Sequence, residues 1–276
     1  MGSVLAEILR DSVLRRIKHK GVEFIVDAPL PAKKKYRISV CTTCMNRAAD
    51  VKRTLPQNIE DNKDYGNVEF VLLNYNSKDD LGDWVRENMI DYIESGILNY
   101  YHTTEPEHYS MTHSRNVAFM LAQGDIVNNV DGDHYTNKGF VEHVNLLANQ
   151  GYDYPMFMKG RQKNRGRIGL FKRHFKWLGG YDEDIKDYGF DDEDLRLRAL
   201  ALGFTFLCYG GKYFRKTDDH MRHQGGNYKN PNWKHTQRLN TMVSLINIYS
   251  GKYVANRKRH WGKAKVTKNF KEEMEI

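Results

Sequence analysis

Cysteine is scarce in this chain of 276 residues: Cys41, Cys44 and Cys208 are the only three. A small, odd number excludes a disulfide framework. Cys41 and Cys44 have redox-pair spacing, but they end the strand-like run YRISVC instead of opening a helix, so buried free thiols are the expectation. Long apolar runs are missing as well, with no segment near the roughly 18 residues needed to span a bilayer. The N-terminus, MGSVLAEILRDSVLRRIKHK, mixes charge into its apolar positions, unlike a signal peptide. Ala6 stands where a myristoylation signal needs Ser or Thr. The expected compartment is therefore the cytoplasm, with a peripheral hold on a membrane surface as the variant. No internal repeat or low-complexity tract is present.

What the chain does have is an ordinary hydrophobic fraction of 40%, 17 tyrosines, and enough length for one large domain or two small ones around a substantial core. The net charge is +8. The excess is concentrated in KGRQKNRGRIGLFKR (159–173) and NRKRHWGKAKVTK (256–268). These clusters are either solvated surface or attractors for a phosphate-bearing donor, an acidic acceptor, nucleic acid or an anionic membrane.

Val4, Leu5, Ile8, Leu9, Val13, Leu14 and Ile17 recur at helical spacing, which predicts an amphipathic helix over 4–17. It would dock on the main domain or lie on a membrane surface. Pro29, Pro31 and Lys33 to Lys35 read as a linker, making 1–35 an N-terminal unit. A β/α alternation follows. YRISVCTT, VEFVLLNY, ILNYYHT and DIVNNV read as strands, and 47–62, 81–94 and 114–122 as helices. This pattern predicts an α/β fold, a mostly parallel sheet flanked by helices. Ligands bind at the carboxyl ends of such strands, which brings Thr42, Thr43, Asn74 to Ser77, Asp131 and Asp133 to one crevice. After residue 150 the pattern is irregular up to an amphipathic helix that starts in DDEDLRLR. A helix near 236–249 and a basic tail make 236–276 a helical, basic extension.

Two acidic clusters carry the chemistry. In VDGDHY (130–135), Asp-Gly is a hairpin signal, while Asp131 and Asp133 at a strand end suit a divalent cation. In DDEDLRLR (191–198) a helix N-terminus tolerates acids, yet capping needs one or two, not four. A carboxylate held there among like charges is a candidate general base.

With these clusters the chain resembles nucleotide-sugar glycosyltransferases of the GT-A (Rossmann-like) fold, family-2-like over residues 36–235, with a β-1,4-galactosyltransferase-type motif in its second half. Five stretches carry the likeness: Asn46-Arg47 after the first strand; Ser114-Arg115-Asn116-Val117-Ala118; Val130-Asp131-Gly132-Asp133; Gly179-Gly180-Tyr181-Asp182-Glu183 leading to Asp191-Asp192-Glu193-Asp194-Leu195 and Arg198; and His220-Met221-Arg222-His223. The resemblance implies a nucleotide-binding half (36–135) and an acceptor or catalytic half (136–235). It also implies Mn²⁺ or Mg²⁺ held by Asp131, Asp133 and His223, with His220 beside them. Thr43, Asn46, Arg47, Asn76, Ser77, Arg115, Asp131 and Gly132 would bind a UDP-sugar. Asp192 would be the base of an inverting transfer of a galactose-type or related hexose, with Asp191, Tyr188, Gly180 and Trp177 on the acceptor side. The acceptor would be a glycan, glycolipid or protein hydroxyl. Three positions depart from the pattern: Asp191 for Glu, Tyr188 for Trp, and Phe190 for Gly. The acidic pair usual after strand two is replaced by Asn74-Tyr75-Asn76-Ser77, unless Asp79 or Asp80 substitutes.

The alternative reading is a nucleic-acid-binding or DNA-modifying protein that uses the two basic clusters. A nucleotidyltransferase is disfavoured because no Gly-rich phosphate loop follows the first strand.

Overall fold

Ile38–Cys44 (β3) is buried along almost its whole length, as a strand must be when it lies between two parallel neighbours and under helices on both faces. Those neighbours are Val68–Tyr75 (β4) on one side and Ile126–Asn129 (β6) on the other, with Ile38 opposite both Val68 and Ile126. The computed structural model describes residues 15–19, 22–26, 34–159, 166–209, 212–217, 225–257 and 259–276. Arg15–His19 (β1) and Val22–Val26 (β2) pair antiparallel, Ile17 opposite Phe24. The end of the expected N-terminal helix is thus strand, because the β-branched and aromatic run that follows it supplies an extended partner. Residues 4–14 of that expected helix lie outside the described residues.

Ala48–Glu60 (α1) follows β3, and Leu81–Asn88 (α2) with Ile90–Glu94 (α3) follows β4. The single helix expected over 81–94 is broken at Met89, which leaves helical geometry at φ −121° between Asn88 and Ile90. Leu98–Thr103 (β5) and Met111–Leu121 (α4) precede β6. The chain then makes His134–Tyr135 (β7), Phe140–Ala148 (α5), Pro155–Lys159 (β8), Ile168–Phe171 (β9), Lys172–Trp177 (α6), Asp191–Ala201 (α7), Thr205–Tyr209 (β10), Arg215–Lys216 (β11), Trp233–Tyr249 (α8), Lys265–Lys268 (β12) and Glu272–Glu275 (β13).

Among the described residues, nine strands form one sheet in the order β10-β8-β9-β6-β3-β4-β5-β12-β13. The β3, β4, β5 and β6 pairings are parallel, as is β10 with β8; β9 and β12 run antiparallel to their neighbours. The stretch after residue 150 that reads as irregular in sequence therefore holds two strands of the main sheet, β8 and β9, and β10 follows just after α7. They are short, and β9 reverses direction, so neither length nor β/α alternation marks them. Chain order reverses at β3, which leads to β4 on one side and meets β6 on the other; an open sheet has its ligand crevice at such a switch point. One apolar core lies under α1, α2 and α5, with Val51, Leu55 and Phe140, and a second lies under α4, α6 and α7, with Val117, Phe119, Phe175 and Leu195.

The expected helical C-terminal extension contains α8, but its basic tail is not helical. β12 pairs with β5, Thr267 opposite His102, and buries Val266. Asn256 Nδ2 donates to the carbonyls of Gly179 and Tyr181, each at 2.7 Å. Gly179 sits at φ 73°, and a Cβ there would overlap the Ala255 carbonyl. Gly179→Ala should therefore lower the unfolding free energy by about 2 kcal/mol or more, through overpacking against backbone and a disfavoured φ. Urea denaturation of the two proteins measures this; equal midpoints would show that the contact between loop and extension carries no stability.

Candidate active site

The two acidic motifs reach one place from distant elements. Asp131 and Asp133 sit in the turn after β6, closed by the His134 amide donating to the Asp131 carbonyl at 3.0 Å. Gly132 is constrained by space: a Cβ would lie 3.0 Å from Val51 Cγ2 on α1, and Thr54 Oγ1 donates to the Gly132 carbonyl at 2.6 Å. The Asp-Gly turn and the acid pair are thus one feature.

Arg115 joins this turn to α7. It projects from α4, whose N-cap Ser110 accepts from the His113 amide at 3.3 Å. Its Nη2 donates to Asp131 Oδ1 at 3.1 Å and its Nη1 to Asp191 Oδ2. Burial alone would lower the Arg115 pKa, but Asp191 and Asp131 reverse that and hold it well above the ordinary value. The next residue, Asn116, donates to the Tyr181 carbonyl at 3.0 Å and to Glu183 Oε1 at 2.9 Å, and accepts from the Tyr181 amide at 2.8 Å. The Ser-Arg-Asn motif therefore fixes both the acids and the Gly-Gly-Tyr-Asp-Glu loop.

The four acids that open α7 have four environments. Asp194 is fully buried against Arg198, Nε to Oδ2 2.7 Å, and accepts from Ser244 Oγ at 2.7 Å. Arg198 in turn donates to the carbonyls of Leu178 and Gly180 at 2.9 and 2.8 Å, so this pair is scaffolding. Glu193 pairs with Arg196, and Asp191 with Arg115. Asp192 has no cation at ion-pair distance among the described residues; its Oδ1 accepts from the Glu193 amide at 2.8 Å. Burial, then the neighbouring Asp191 charge, push its pKa up to about 6. Phe190 precedes this helix at φ 70°, a left-handed conformation that favours the glycine expected there.

Around Asp131 and Asp133 the donor atoms suit a cation. Asp131, Asp133 and His134 offer ligand atoms all within 4.8 Å of one another. Two carboxylates and an imidazole form a set that accepts Mn²⁺ more readily than all-oxygen sites do. A guanidinium already stands among them: Arg167 Nη2 is 3.0 Å from Asp131 Oδ2, 4.0 Å from Asp133 Oδ1 and in contact with both ring nitrogens of His134. Positive charge is therefore favoured at this point, and Arg167 would have to yield to a metal bound there. Burial works to raise the Asp131 pKa, but Arg167 and then Arg115 hold it well below the usual carboxylate range. Burial keeps the His134 pKa below its ordinary value. His220 and His223 lie outside the described residues.

The expected nucleotide-side residues line the ends of β3 and β4. Thr43 Oγ1 is 2.6 Å from Tyr109 Oη. Asn46, at φ 55°, donates its amide to Ser77 Oγ at 2.9 Å, and Asn76, at φ 58°, donates to the Pro106 carbonyl at 2.7 Å. Arg47 pairs with Asp50 at 2.5 Å and lies 4.0 Å from Asp133 Oδ2. Asp79 accepts from the Ala48 amide at 2.8 Å and Asp80 pairs with Lys52, so both carboxylates brace α1. On the acceptor side, Tyr188 is exposed. Its ring stands 5.8 Å from Tyr228 and 6.3 Å from Trp233, and Tyr228 is 5.7 Å from Tyr109. An aromatic wall thus runs from Thr43 to α8. Gly180 has its backbone closed in by Asn116 and Trp261. Trp177 stacks on Phe204 and meets Tyr154 at a tilt, and its described ring contacts include none of the acidic cluster.

Sequence reasoning missed Arg167, His134, Asn129, Tyr109 and Tyr228. Asn129 donates to Asp131 Oδ1 and to the Gly166 carbonyl, both at 2.8 Å. His134 directly follows Asp133 in the motif, and Arg167 belongs to the 159–173 basic cluster; both signals were present without a partner to interpret them. Nothing in the sequence pattern pointed to the tyrosines.

The family model for glycosyl transferase family 2 matches residues 39–220. Among solved structures, the mannosyltransferase PcManGT from Pyrobaculum calidifontis, in complex with GDP-Man and Mn²⁺, is similar at a TM-score of 0.60 and 18% identity, over 81% of this chain and 66% of that one. TarS residues 1–349 from S. aureus, in complex with UDP-GlcNAc, is similar at a TM-score of 0.58 and 18% identity, over 76% of this chain and 67% of that one. This chain thus spans about two thirds of either structure's length. No curated protein matches it in sequence.

Removing the Arg115 charge should be costly. Arg115→Met leaves Asp191 and Asp131 as like charges with their common cation gone, an expected loss of about 3–5 kcal/mol. A compensating Asp191→Asn should recover part of it. Denaturant unfolding of both single variants and the double variant reads the coupling, and simple additivity would disprove the bridge.

Proposed function

This chain belongs to glycosyl transferase family 2, and from that premise we propose that it transfers a hexose, galactose or a related sugar, from a UDP-sugar to an acceptor hydroxyl, with inversion at the anomeric carbon. The observation that carries the proposal is the joining, through Arg115 and Asp191, of the Asp131–Asp133 turn to the start of α7, where the next acid, Asp192, has no cationic partner among the described residues and a pKa raised to about 6. A base must be ionised and still want a proton at working pH, and a pKa near 6 meets both demands. Asp192 takes the proton of the acceptor hydroxyl as that oxygen bonds to the anomeric carbon. The bond from that carbon to the diphosphate breaks, and UDP departs with its electron pair. Asp191, tied to Arg115, orients the acceptor, and the exposed face of Tyr188 offers a surface on which a sugar ring stacks.

A divalent cation held by Asp131 and Asp133, with His134 adjacent and His223 and His220 as the further proposed ligands, would supply positive charge against the diphosphate. Thr43, Asn46, Arg47, Asn76, Ser77, Arg115 and the Gly132 turn would hold the nucleotide side. Arg167, which now pairs with Asp131, would add a further positive charge on the diphosphate side once a metal took its place. The complexes of GDP-Man with Mn²⁺ and of UDP-GlcNAc in the two similar structures support a nucleotide-sugar donor and a metal here. A glycan, glycolipid or protein hydroxyl fits as acceptor.

Three outcomes follow. With a panel of UDP-sugars, release of UDP should need Mn²⁺ or Mg²⁺ and stop with EDTA; a chain that turns over no nucleotide sugar with metal present sinks the proposal. Asp192→Asn should cut transfer by roughly 10²–10⁴-fold, with donor affinity by calorimetry nearly unchanged. The kcat/KM of the native protein should climb with pH up to about 6 and level off above it, since protonated Asp192 cannot accept a proton; a limb centred near the ordinary aspartate value would remove Asp192 from the role.

A further inference from the structure

The helix α8 is built inside out. Its buried residues are Thr236, Asn240 and Ser244, all polar. Leu239, Met242, Leu245, Ile246 and Tyr249 are exposed, Ile246 at 60% and Tyr249 at 88%. At about 100° per residue the two sets lie on opposite faces, and the apolar five fill an arc of about 120°. Lys234, His235 and Arg238 fall within or beside that arc and are exposed. Scattered exposed apolar side chains need no explanation, but a contiguous stripe marks an interaction surface.

Charge decides the occupant. From His220 to Lys271 the sequence contains no aspartate or glutamate and carries twelve lysines and arginines. Lys252 and Arg257, just past the helix, are exposed. An apolar stripe within an all-cationic segment is the pattern of a helix that lies in the headgroup region of an anionic bilayer, apolar side chains inserted and cations at the phosphates. A second copy of this surface would meet it with like charge. No helix of the described residues is long and apolar enough to cross a membrane, so the contact is interfacial.

We infer that the outer face of α8 docks the protein on an anionic lipid surface. The inner face of the same helix holds the segment that leads to the proposed base. Asn240 Nδ2 donates to the carbonyls of Lys186 and Gly189, each at 2.8 Å, and Thr236 Oγ1 to that of Tyr188 at 3.1 Å. Docking thus brings residues 186–190 to within one helix diameter of the bilayer, about 10 Å. The inference stands on α8 itself and is independent of which sugar is transferred.

The test is sedimentation of the full chain with sucrose-loaded vesicles of phosphatidylcholine alone and of phosphatidylcholine mixed with phosphatidylglycerol. The native protein should partition to the mixed vesicles at least about tenfold more strongly, and less so as salt rises. Met242→Glu with Ile246→Glu should reduce that binding about tenfold or more, with the melting temperature and metal-stimulated donor hydrolysis in solution unchanged. Three results would overturn the inference. The first is no preference for the anionic vesicles. The second is anionic binding that the double variant retains in full, which would assign it to the basic residues alone. The third is a concentration-dependent dimer that the double variant dissolves without any vesicle binding, which would give the face to a second copy.

Discussion

The site depends on one buried cation. Arg115 is enclosed by protein and faces Asp131 on one side and Asp191 on the other. Its guanidinium suits this because it is planar, permanently charged and able to direct separate N–H groups at two carboxylates. Two carboxylates brought together without it would repel one another across a poorly solvated space. The approach of α7 to the β6 turn is therefore conditional on α4 placing this side chain between them. Asn116, one residue on, carries the same helix's hold on Tyr181 and Glu183. α4 thus acts as the jig for both halves of the site.

The same accounting separates Asp192 from its neighbours. Along Asp191 to Asp194 the partners are Arg115, none among the described residues, Arg196 and Arg198. An acid with a guanidinium against it is a weak proton acceptor, because the cation stabilises the ionised form. Asp192 takes the opposite course because it is desolvated beside the negative Asp191. The separation of Asp192 from the other three acids is thus a matter of which cations surround the helix start. Arg167 plays the matching part at the other motif, supplying to Asp131, Asp133 and His134 the positive charge that they collectively require.

This explains which parts were legible in the sequence. The β3, β4, β5 and β6 strands and their helices could be read because each writes its own local period, and the strand ends then located Asp131, Thr43 and Asn76 together. The acidic clusters could be singled out through their unusual density, and the structure brings them together through Arg115. Arg167 and Tyr228 could not, since each gains meaning only from partners far along the chain. β8, β9 and β10 escaped because short strands with an antiparallel insertion carry neither length nor alternation. The fourteen-residue reading of 81–94 as one helix failed for a related reason: apolar periodicity continues across Asn88 and Met89 although the backbone does not.

α8 shows the deeper limit of periodicity. A 3.6-residue repeat reports that a helix has two unlike faces, not which one points inward. Here the inward face must be polar, because the loop it covers presents the carbonyls of Lys186, Tyr188 and Gly189, and backbone acceptors removed from water need donors. That loop cannot satisfy them within itself: Asp187, Gly189 and Phe190 all adopt positive φ, so it forms no regular ladder. Thr236 and Asn240 supply the missing donors, and Ser244 extends the same row to Asp194. Once those positions are committed to polar side chains, the apolar residues of an amphipathic helix have only the outside left to them. The irregular turn that presents Asp191 and Asp192 and the exposed apolar stripe are consequences of one requirement, the hydrogen bonding of residues 186–190.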